Sequence, residues 1–252
     1  MQPIVKKVFT VSLLILVLLL WRVKTYSQKE ENQQAIAILK KLADRYRHAG
    51  KLSFDMRFRY SSDKKPEYSL DSLSGNFKMN DSLYWYSLDN TECAFNNTAL
   101  VMLFKEDKII YLCKPLRTEQ SSSPVVMIDS LLNGKKNISC SISNGNGYTK
   151  ISIASSAGYN WKKVEFVIDS SSGFLKSMQT WVKSAELYDP SIKGLVDKES
   201  YAIISTDYYH YQQGEFDNSI FDINSYCKKS EGQYVAVKPF ESYKIFIGSP
   251  NL

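Results

Sequence analysis

Few side chains in this 252-residue sequence could perform acid–base or metal chemistry. There are two histidines, His48 and His210, and carboxylates near His210 could hold a metal ion or a general base together with it. These carboxylates are Asp207, Glu215, Asp217 and Asp222. A lone histidine among strand tyrosines is more often packed or solvated, so we predict no metal site.

No catalytic motif accompanies these residues. The sequence lacks the Gly-x-Ser-x-Gly elbow of hydrolases, the Walker phosphate loop and the His-Glu-x-x-His zinc motif. Asp169 precedes Ser170–Gly173 and is typical of a hairpin turn rather than of a nucleophile's partner. We therefore predict a protein that is not an enzyme and binds no cofactor.

The four cysteines are Cys93, Cys113, Cys140 and Cys227, and their spacing does not resemble a zinc site. A two-residue turn at Asn96-Asn97 would pair Cys93 with Leu100, and a second turn at Glu106-Asp107 would pair Leu100 with Cys113. Cys93 and Cys113 would then lie two strands apart, at ~10 Å, which exceeds the reach of a disulfide. Buried free thiols are the favoured interpretation, and the other pairings stay open.

An apolar binding surface is the remaining kind of site. The stretch Leu52–Tyr60, LSFDMRFRY, has apolar residues at every even position and polar or cationic residues between them, which predicts a strand with one apolar face. Similar residues recur in later strands. The candidate ligand-binding residues are Phe54, Met56, Phe58, Phe77, Met79, Trp85, Val164, Phe166 and Ile168. They either line a cavity or form ordinary core beneath a helix.

The N-terminal residues have the composition of an export signal. Lys6-Lys7 precede the apolar run Val8–Trp21, which has the length of a signal peptide and falls short of the ~20 residues of a membrane span. Thr25 and Ser27 suit cleavage before Gln28. An uncleaved inner-membrane anchor is the alternative, because basic residues also follow the run. Either way we expect an exported, periplasmic protein, unless the anchor is inverted.

The net charge of +6 does not indicate a nucleic-acid partner. Four of the 32 basic residues lie in the first 27 positions, where there is no acidic residue, and their removal leaves 28 basic against 26 acidic residues. The rest of the chain is therefore close to neutral, and we predict no nucleic-acid binding.

The predicted elements form an antiparallel sheet with few helices. Glu30–His48 has the apolar spacing of an amphipathic helix, and Pro124 opens a second, short helix. Turns follow the strands too closely for crossover helices. Polar segments 61–72 and 183–200 are predicted as loops, and Asn224–Leu252 as a tail with one or two edge strands. The strands are Leu52–Tyr60, Gly75–Met79, Leu83–Leu88, Thr91–Phe95, Ala99–Phe104, Ile109–Cys113, one from Ile138, Tyr148–Ala154, Lys162–Ile168, Phe174–Val182 and Tyr201–Tyr211.

This order of elements resembles the outer-membrane lipoprotein carrier family and its periplasmic LolA-like relatives, over about residues 33–224. The matching stretches are SFDMRFRY, GNFKMNDSLYWY, LVMLFKEDKIIYL, KKVEFVIDSSSGFLKSMQTW and NSIFDI. The family's Asp-Gly hairpin turn is Asn96-Asn97 here, and the tail from Tyr226 is longer. The resemblance implies a mostly β (α+β) fold in which an N-terminal helix and a short lid helix cover a curved antiparallel sheet or incomplete barrel.

The resemblance also implies a function for residues 28–252, taken as one LolA-like domain. Acyl chains of lipids or lipoproteins would lie in a hydrophobic cavity, and their release would need one of the two helices to move. Family members carry a functional arginine on an early strand; Arg57 and Arg59 are nearest, but alternation places both opposite Phe54 and Phe58. The alternative is a structural or assembly protein of the cell envelope, with a filled core and an edge rich in tyrosine (Tyr201, Tyr208, Tyr209, Tyr211) that docks an envelope protein.

Overall fold

The computed structural model describes residues 28–114, 124–133, 138–155, 160–187 and 200–249. The predicted signal or anchor, residues 1–27, lies outside this part of the chain. In the part described, no helix combines the length and the apolarity needed to cross a membrane.

The described residues form fourteen strands and two α-helices. Helix α1 comprises residues 28–47 and helix α2 comprises Pro124–Asn133. The strands are β1 (Lys51–Ser62), β2 (Lys65–Asn80), β3 (Leu83–Leu88), β4 (Thr91–Phe95), β5 (Leu100–Phe104), β6 (Ile109–Cys113), β7 (Ile138–Gly145), β8 (Tyr148–Ser155), β9 (Trp161–Asp169), β10 (Leu175–Lys183), β11 (Tyr201–Gln213), β12 (Cys227–Ser230), β13 (Gln233–Ala236) and β14 (Lys244–Ile247).

Twelve of these strands form one large curved sheet in the order β14-β6-β5-β4-β3-β2-β1-β11-β10-β9-β8-β7. All neighbours are antiparallel except β14 and β6, which are parallel. Strands β7 and β14 are the two edges and do not pair with each other, so the sheet is open. The predicted fold class is confirmed: a mostly β protein with a curved antiparallel sheet and few helices.

Apolar side chains are buried on both faces of the sheet. On the face that carries α1, called the helix-side face below, the buried cluster includes Leu39, Phe54 and Phe166. The opposite face, called the far face, has a separate cluster on β4–β6, with Val101 and Leu112, which the C-terminal residues Tyr226 and Cys227 join. The tail predicted as edge strands supplies β14, and it also covers part of the far face.

Strand β2 is longer than predicted. Residues 65–72 were expected in a loop because they are polar and include Pro66, but β2 begins at Lys65 and pairs with β1. Beyond Gly75 it has no partner on its other side, because β3 ends at Leu88, opposite Gly75. This part of β2 is exposed throughout. Its polarity therefore reflects a solvated strand.

The predicted register between Cys93 and Leu100 is wrong. Cys93 pairs with Met102, because the β4–β5 turn is longer than two residues. The Asn96 side chain accepts hydrogen bonds from the backbone N–H groups of Thr98 and Ala99, at 2.9 Å each, and so stabilises the longer turn. Leu100 does pair with Cys113. All four cysteines are buried free thiols.

Gly75 permits the close approach of β3 to β2. A Cβ atom at Gly75 would overlap the backbone carbonyl oxygen of Ser87. We expect Gly75→Ala to lower the free energy of unfolding by roughly 1–3 kcal/mol, the usual cost of overpacking, in urea denaturation. Gly248→Ala is the control, because its methyl group would meet only the Tyr111 side chain, which is exposed and can rotate. Equal stability of the two variants would contradict this role.

The thiols should not react in the folded protein. Burial raises the pKa of the Cys93 thiol to about 12 and that of Cys227 to about 11, so both are protonated at pH 8, whereas the thiolate is the reactive form. We expect Ellman's reagent at pH 8 to label none of the four thiols in the native protein and all four in guanidinium without reductant. Fewer than four after unfolding would reveal a disulfide.

Candidate functional site

Helix α1 covers one half of the helix-side face, formed by the strands from β7 to β1 in the order of the sheet. Its buried side chains, among them Leu39, Leu42 and Tyr46, contact the sheet. They lie at three- and four-residue spacing along one side of the helix, as the sequence predicted. The part of the sheet beneath α1 is therefore a filled core.

The N-terminal end of α1 is fixed to the edge strand β7 by side chains. The Asn32 amide donates to the Ile138 carbonyl at 3.2 Å, and its oxygen accepts from the Cys140 N–H at 2.7 Å. Glu31 accepts from the Ile142 N–H at 3.0 Å, and Gln28 donates to the Cys140 carbonyl at 2.9 Å. These bonds satisfy backbone groups that an edge strand would otherwise expose.

The C-terminal end of α1 is fixed by the Tyr46 hydroxyl. It lies 2.7 Å from the Tyr211 hydroxyl and accepts a hydrogen bond from the Leu175 N–H at 3.3 Å. Burial raises the pKa of Tyr46 far above its ordinary value, so the hydroxyl stays neutral. The Tyr46 ring also packs on Phe54, with 6.3 Å between ring centroids.

Helix α2, predicted as a lid, is part of the same packed layer. Ile128 is fully buried in the helix-side cluster. Arg47 of α1 donates two hydrogen bonds to the Asp129 carboxylate, at 2.6 and 2.7 Å. The two helices are thus linked to each other as well as to the sheet.

The nine candidate residues fall into three groups. Seven are buried in the helix-side core, with 8% or less of each side chain exposed: Phe54, Met56, Phe77, Met79, Val164, Phe166 and Ile168. Trp85 lies with the far-face cluster and donates to Glu92 at 2.8 Å. Phe58 is half-buried beside the helix-side core and faces an open space.

That open space is a pocket of about 330 Å³ at the end of β1 that α1 does not cover. Phe58 and Tyr60 contribute to it from β1, and Leu73, Leu88 and Ile204 from the neighbouring strands. The pairing explains this grouping, because Phe58 lies opposite Leu73 and Tyr60 lies opposite Ile204. The remaining lining residues are Arg59, Asp71 and Ser72. Most of the lining surface is apolar.

The strand LSFDMRFRY therefore plays two roles. Leu52, Phe54 and Met56 have 1% or less of their side chains exposed and are covered core. Phe58 and Tyr60, on the same face, line the pocket. The first half of the apolar face of this strand is therefore core beneath a helix, and its second half lines a pocket.

Apolar residues continue from this region across the sheet towards β14. The register aligns Phe77 with Tyr86, Tyr86 with Cys93, and Cys93 with Met102 on successive strands. Met102 is aligned with Tyr111 and Tyr111 with Phe246. Phe77 and Cys93 in this row are buried, at 0% and 2% exposure, whereas Tyr111 and Phe246 are 37% and 50% exposed. The helix-side face is thus open at its β6–β14 end.

Sequence reasoning missed Leu73, Leu88 and Ile204 as pocket residues. Leu73 falls between the loop predicted over 61–72 and the strand predicted from Gly75, and Leu88 and Ile204 lie near strand ends. They are brought together by the register, which pairs Leu73 with Phe58 and Ile204 with Tyr60, and places Leu88 opposite Gly75, two residues from Leu73. Alternation within one strand does not contain that information.

Arg57 and Arg59 lie away from the apolar core, as alternation predicted. Arg59 forms an ion pair with Asp207 at 2.6 Å on the far face, where Asp207 is also the cross-strand partner of Arg57. Both groups of the Arg59–Asp207 pair are more than a third exposed, so the pair contributes little to stability.

The carboxylates that are near His210 in the sequence do not cluster around it in the structure. Its Nδ1 lies 2.8 Å from the Asp55 carboxylate, at a register shift between β1 and β11. Asn76 donates to the other oxygen of Asp55. Among the described residues, no group of three metal-binding side chains could hold an ion.

The tyrosine-rich strand is not an edge. Strand β11 lies between β1 and β10, so the predicted docking edge at Tyr201–Tyr211 is wrong. Tyr208 is buried, and Tyr211 contacts Tyr46 and Phe174 within the core. Tyr208 and Tyr211 thus belong to the core on the helix-side face.

No protein-family model matches the sequence, and no curated protein matches it significantly. Among solved structures, the chain is similar to an uncharacterized conserved protein from Thermus thermophilus, with a TM-score of 0.45 and 5% identity over 82% of this chain and 98% of that one.

Two further structures are a LolA superfamily protein from Nitrosomonas europaea (TM-score 0.37, 10% identity, 75% of this chain and 98% of that one) and the Mycobacterium tuberculosis lipoprotein LppX (TM-score 0.36, 11% identity, 73% and 98%). A LolA superfamily protein, the group that the sequence resembles, is among the solved structures to which the chain is similar.

The Tyr46 hydroxyl should contribute measurably to stability. Tyr46→Phe leaves the Leu175 N–H and the Tyr211 hydroxyl without this partner, so we expect a loss of roughly 1–3 kcal/mol in the free energy of unfolding. Tyr68→Phe is the matched control, because Tyr68 is 65% exposed and should change stability by less than about 0.5 kcal/mol. Chemical denaturation followed by circular dichroism measures both. Equal losses would show that the buried hydroxyl does not fix α1.

Proposed function

We propose that this chain is an exported, non-enzymatic binder or carrier of acyl chains. The hydrocarbon lies in the pocket formed by Phe58, Tyr60, Leu73, Leu88 and Ile204. The observation that carries the proposal is that this pocket is open and mostly apolar, next to a core that is filled. An apolar surface left open beside a packed core is where a hydrophobic ligand gains most from leaving water.

The size and lining of the pocket suit a flexible hydrocarbon. Its volume of about 330 Å³ is at the lower end of the range for ligand sites. Burial of apolar area is non-directional and needs no array of polar partners. The half-exposed row through Met102 and Tyr111 offers further apolar surface to a longer chain.

This location changes the expected route of the ligand. A cavity beneath α1 would require α1 or α2 to move before an acyl chain could enter or leave. The pocket lies beside the helices instead, where β1 emerges from beneath α1. The bonds of Tyr46 and Asn32 can then stay intact during binding, and the acyl chain exchanges without opening the core.

The second candidate is a structural or assembly protein of the cell envelope. The observation that favours it is the filled core at seven of the nine candidate residues. The two proposals differ in one measurable property, because only a carrier binds a hydrocarbon probe saturably at the pocket.

Leu73→Gln should weaken binding of a fluorescent fatty-acid analogue to the full chain. Leu73 lines the pocket, but it is 42% exposed, so its replacement costs the fold little. Loss of one leucine's apolar contact should raise the dissociation constant about tenfold. A fluorescence titration measures it.

Leu70→Gln is the matched control for this prediction. It changes the same residue type on the same strand, at a position that is 67% exposed and does not line the pocket. It should bind the probe like the unmodified protein. If the unmodified protein shows no saturable binding, or if both variants bind equally, the carrier proposal fails and the structural alternative gains.

A further inference from the structure

Strands β6 and β14 form an edge with exposed apolar side chains on both faces. Tyr111 and Phe246 are neighbours on the helix-side face, and 37% and 50% of their surfaces are exposed. Ile247 follows Phe246 in β14, so its side chain is directed to the far face, and it is 48% exposed. Exposed apolar side chains grouped at one place on a surface are typical of sites that contact a protein or a membrane.

The same edge is positively charged. Residues 108–114 and 243–249, which contain the two strands, include Lys108, Lys114 and Lys244 and no acidic residue. All three lysines are exposed. Within the part of the chain that the structure describes, their ammonium groups form no ion pair. The charge is therefore available to a partner.

Strand β7, the opposite edge of the sheet, contains no lysine and no aromatic residue. Strand β7 is occupied by side-chain hydrogen bonds from Gln28, Glu31 and Asn32. Strand β14 ends the sheet on the other side, where no described strand pairs with it. The unprotected edge is thus the one that combines lysines with aromatic and aliphatic side chains.

We propose that the β6–β14 edge docks onto a lipid bilayer that contains anionic head groups. Lysines attract the head groups, while Phe246 and Ile247 enter the boundary between head groups and acyl chains, the combination used by interfacial membrane-binding elements. A second copy of the chain is disfavoured, because pairing two β14 edges would bring lysine-rich surfaces of the same sign together.

Docking would place the open helix-side row next to the membrane. Phe246 at the edge is aligned with Tyr111 and Met102, which lead inwards across the sheet. An acyl chain leaving the bilayer would meet this row before the pocket. The docking itself does not depend on the pocket, so the two proposals fail or stand separately.

Hydrogen–deuterium exchange of the full chain with vesicles tests the docking, because it reports on the edge locally and membrane binding by residues 1–27 alone would leave residues 243–249 unprotected. We expect phosphatidylglycerol vesicles, and not phosphatidylcholine vesicles, to protect peptides that cover residues 243–249. The lipid concentration for half-maximal protection should rise about fivefold for each lysine replaced, or roughly 100-fold for K108Q/K114Q/K244Q. F246S/I247S should abolish the protection.

Two matched variants serve as controls. K40Q/K41Q/K65Q removes three exposed lysines elsewhere, and Y68S/L70S removes two exposed apolar residues from β2. Both should be protected like the unmodified protein. Equal protection by the two lipids, no protection at residues 243–249, or equal losses in the controls would overturn the proposal. Protection that rises with protein concentration without vesicles would assign the edge to a second copy instead.

Discussion

The length of α1 relative to the width of the sheet determines what is core and what is open. From Gln28 to Tyr46 the helix rises about 27 Å, at 1.5 Å per residue. Its first residue contacts β7 and Tyr46 contacts Phe54 of β1, five strand spacings away, or about 24 Å. The helix therefore spans six strands of a twelve-stranded sheet, and both of its ends are fixed by hydrogen bonds.

Because α1 covers only six of the twelve strands, the two halves of the sheet bury opposite faces. Beneath α1 the helix-side face holds the apolar core, and the far face carries polar pairs such as the largely buried Glu165 carboxylate with Lys150 and Lys163. On β3–β6 the C-terminal segment covers the far face through Tyr226 and its neighbours, and the helix-side face is only half-buried. The face that is buried therefore changes near β2, from the helix-side face beneath α1 to the far face on β3–β6.

The sequence was sufficient for local features and insufficient for those that depend on register. Alternation in LSFDMRFRY and the three- and four-residue spacing in α1 each report on one element, and both were predicted correctly. The split of that strand between core and pocket depends on where α1 ends, which no pattern within the strand encodes. Likewise, Cys93 was misaligned because the Asn96 side chain extends a turn that its residue types made look like a two-residue turn. The C-terminal tail has no regular spacing of apolar residues because its residues cover the far face of strands β4–β6.

The pocket lies where two elements end and two neighbouring strands continue. Helix α1 stops at residue 47, β3 stops opposite Gly75, and β1 and β2 continue beyond both. Phe58 and Leu73 are thus paired with each other in the sheet, and both line the open pocket. Filling this space with larger side chains would add stability by burial, so the open pocket is the feature on which the proposed acyl-chain site rests. In that proposal the ligand binds beside the core beneath α1, and the packing of that core would stay unchanged on binding and release.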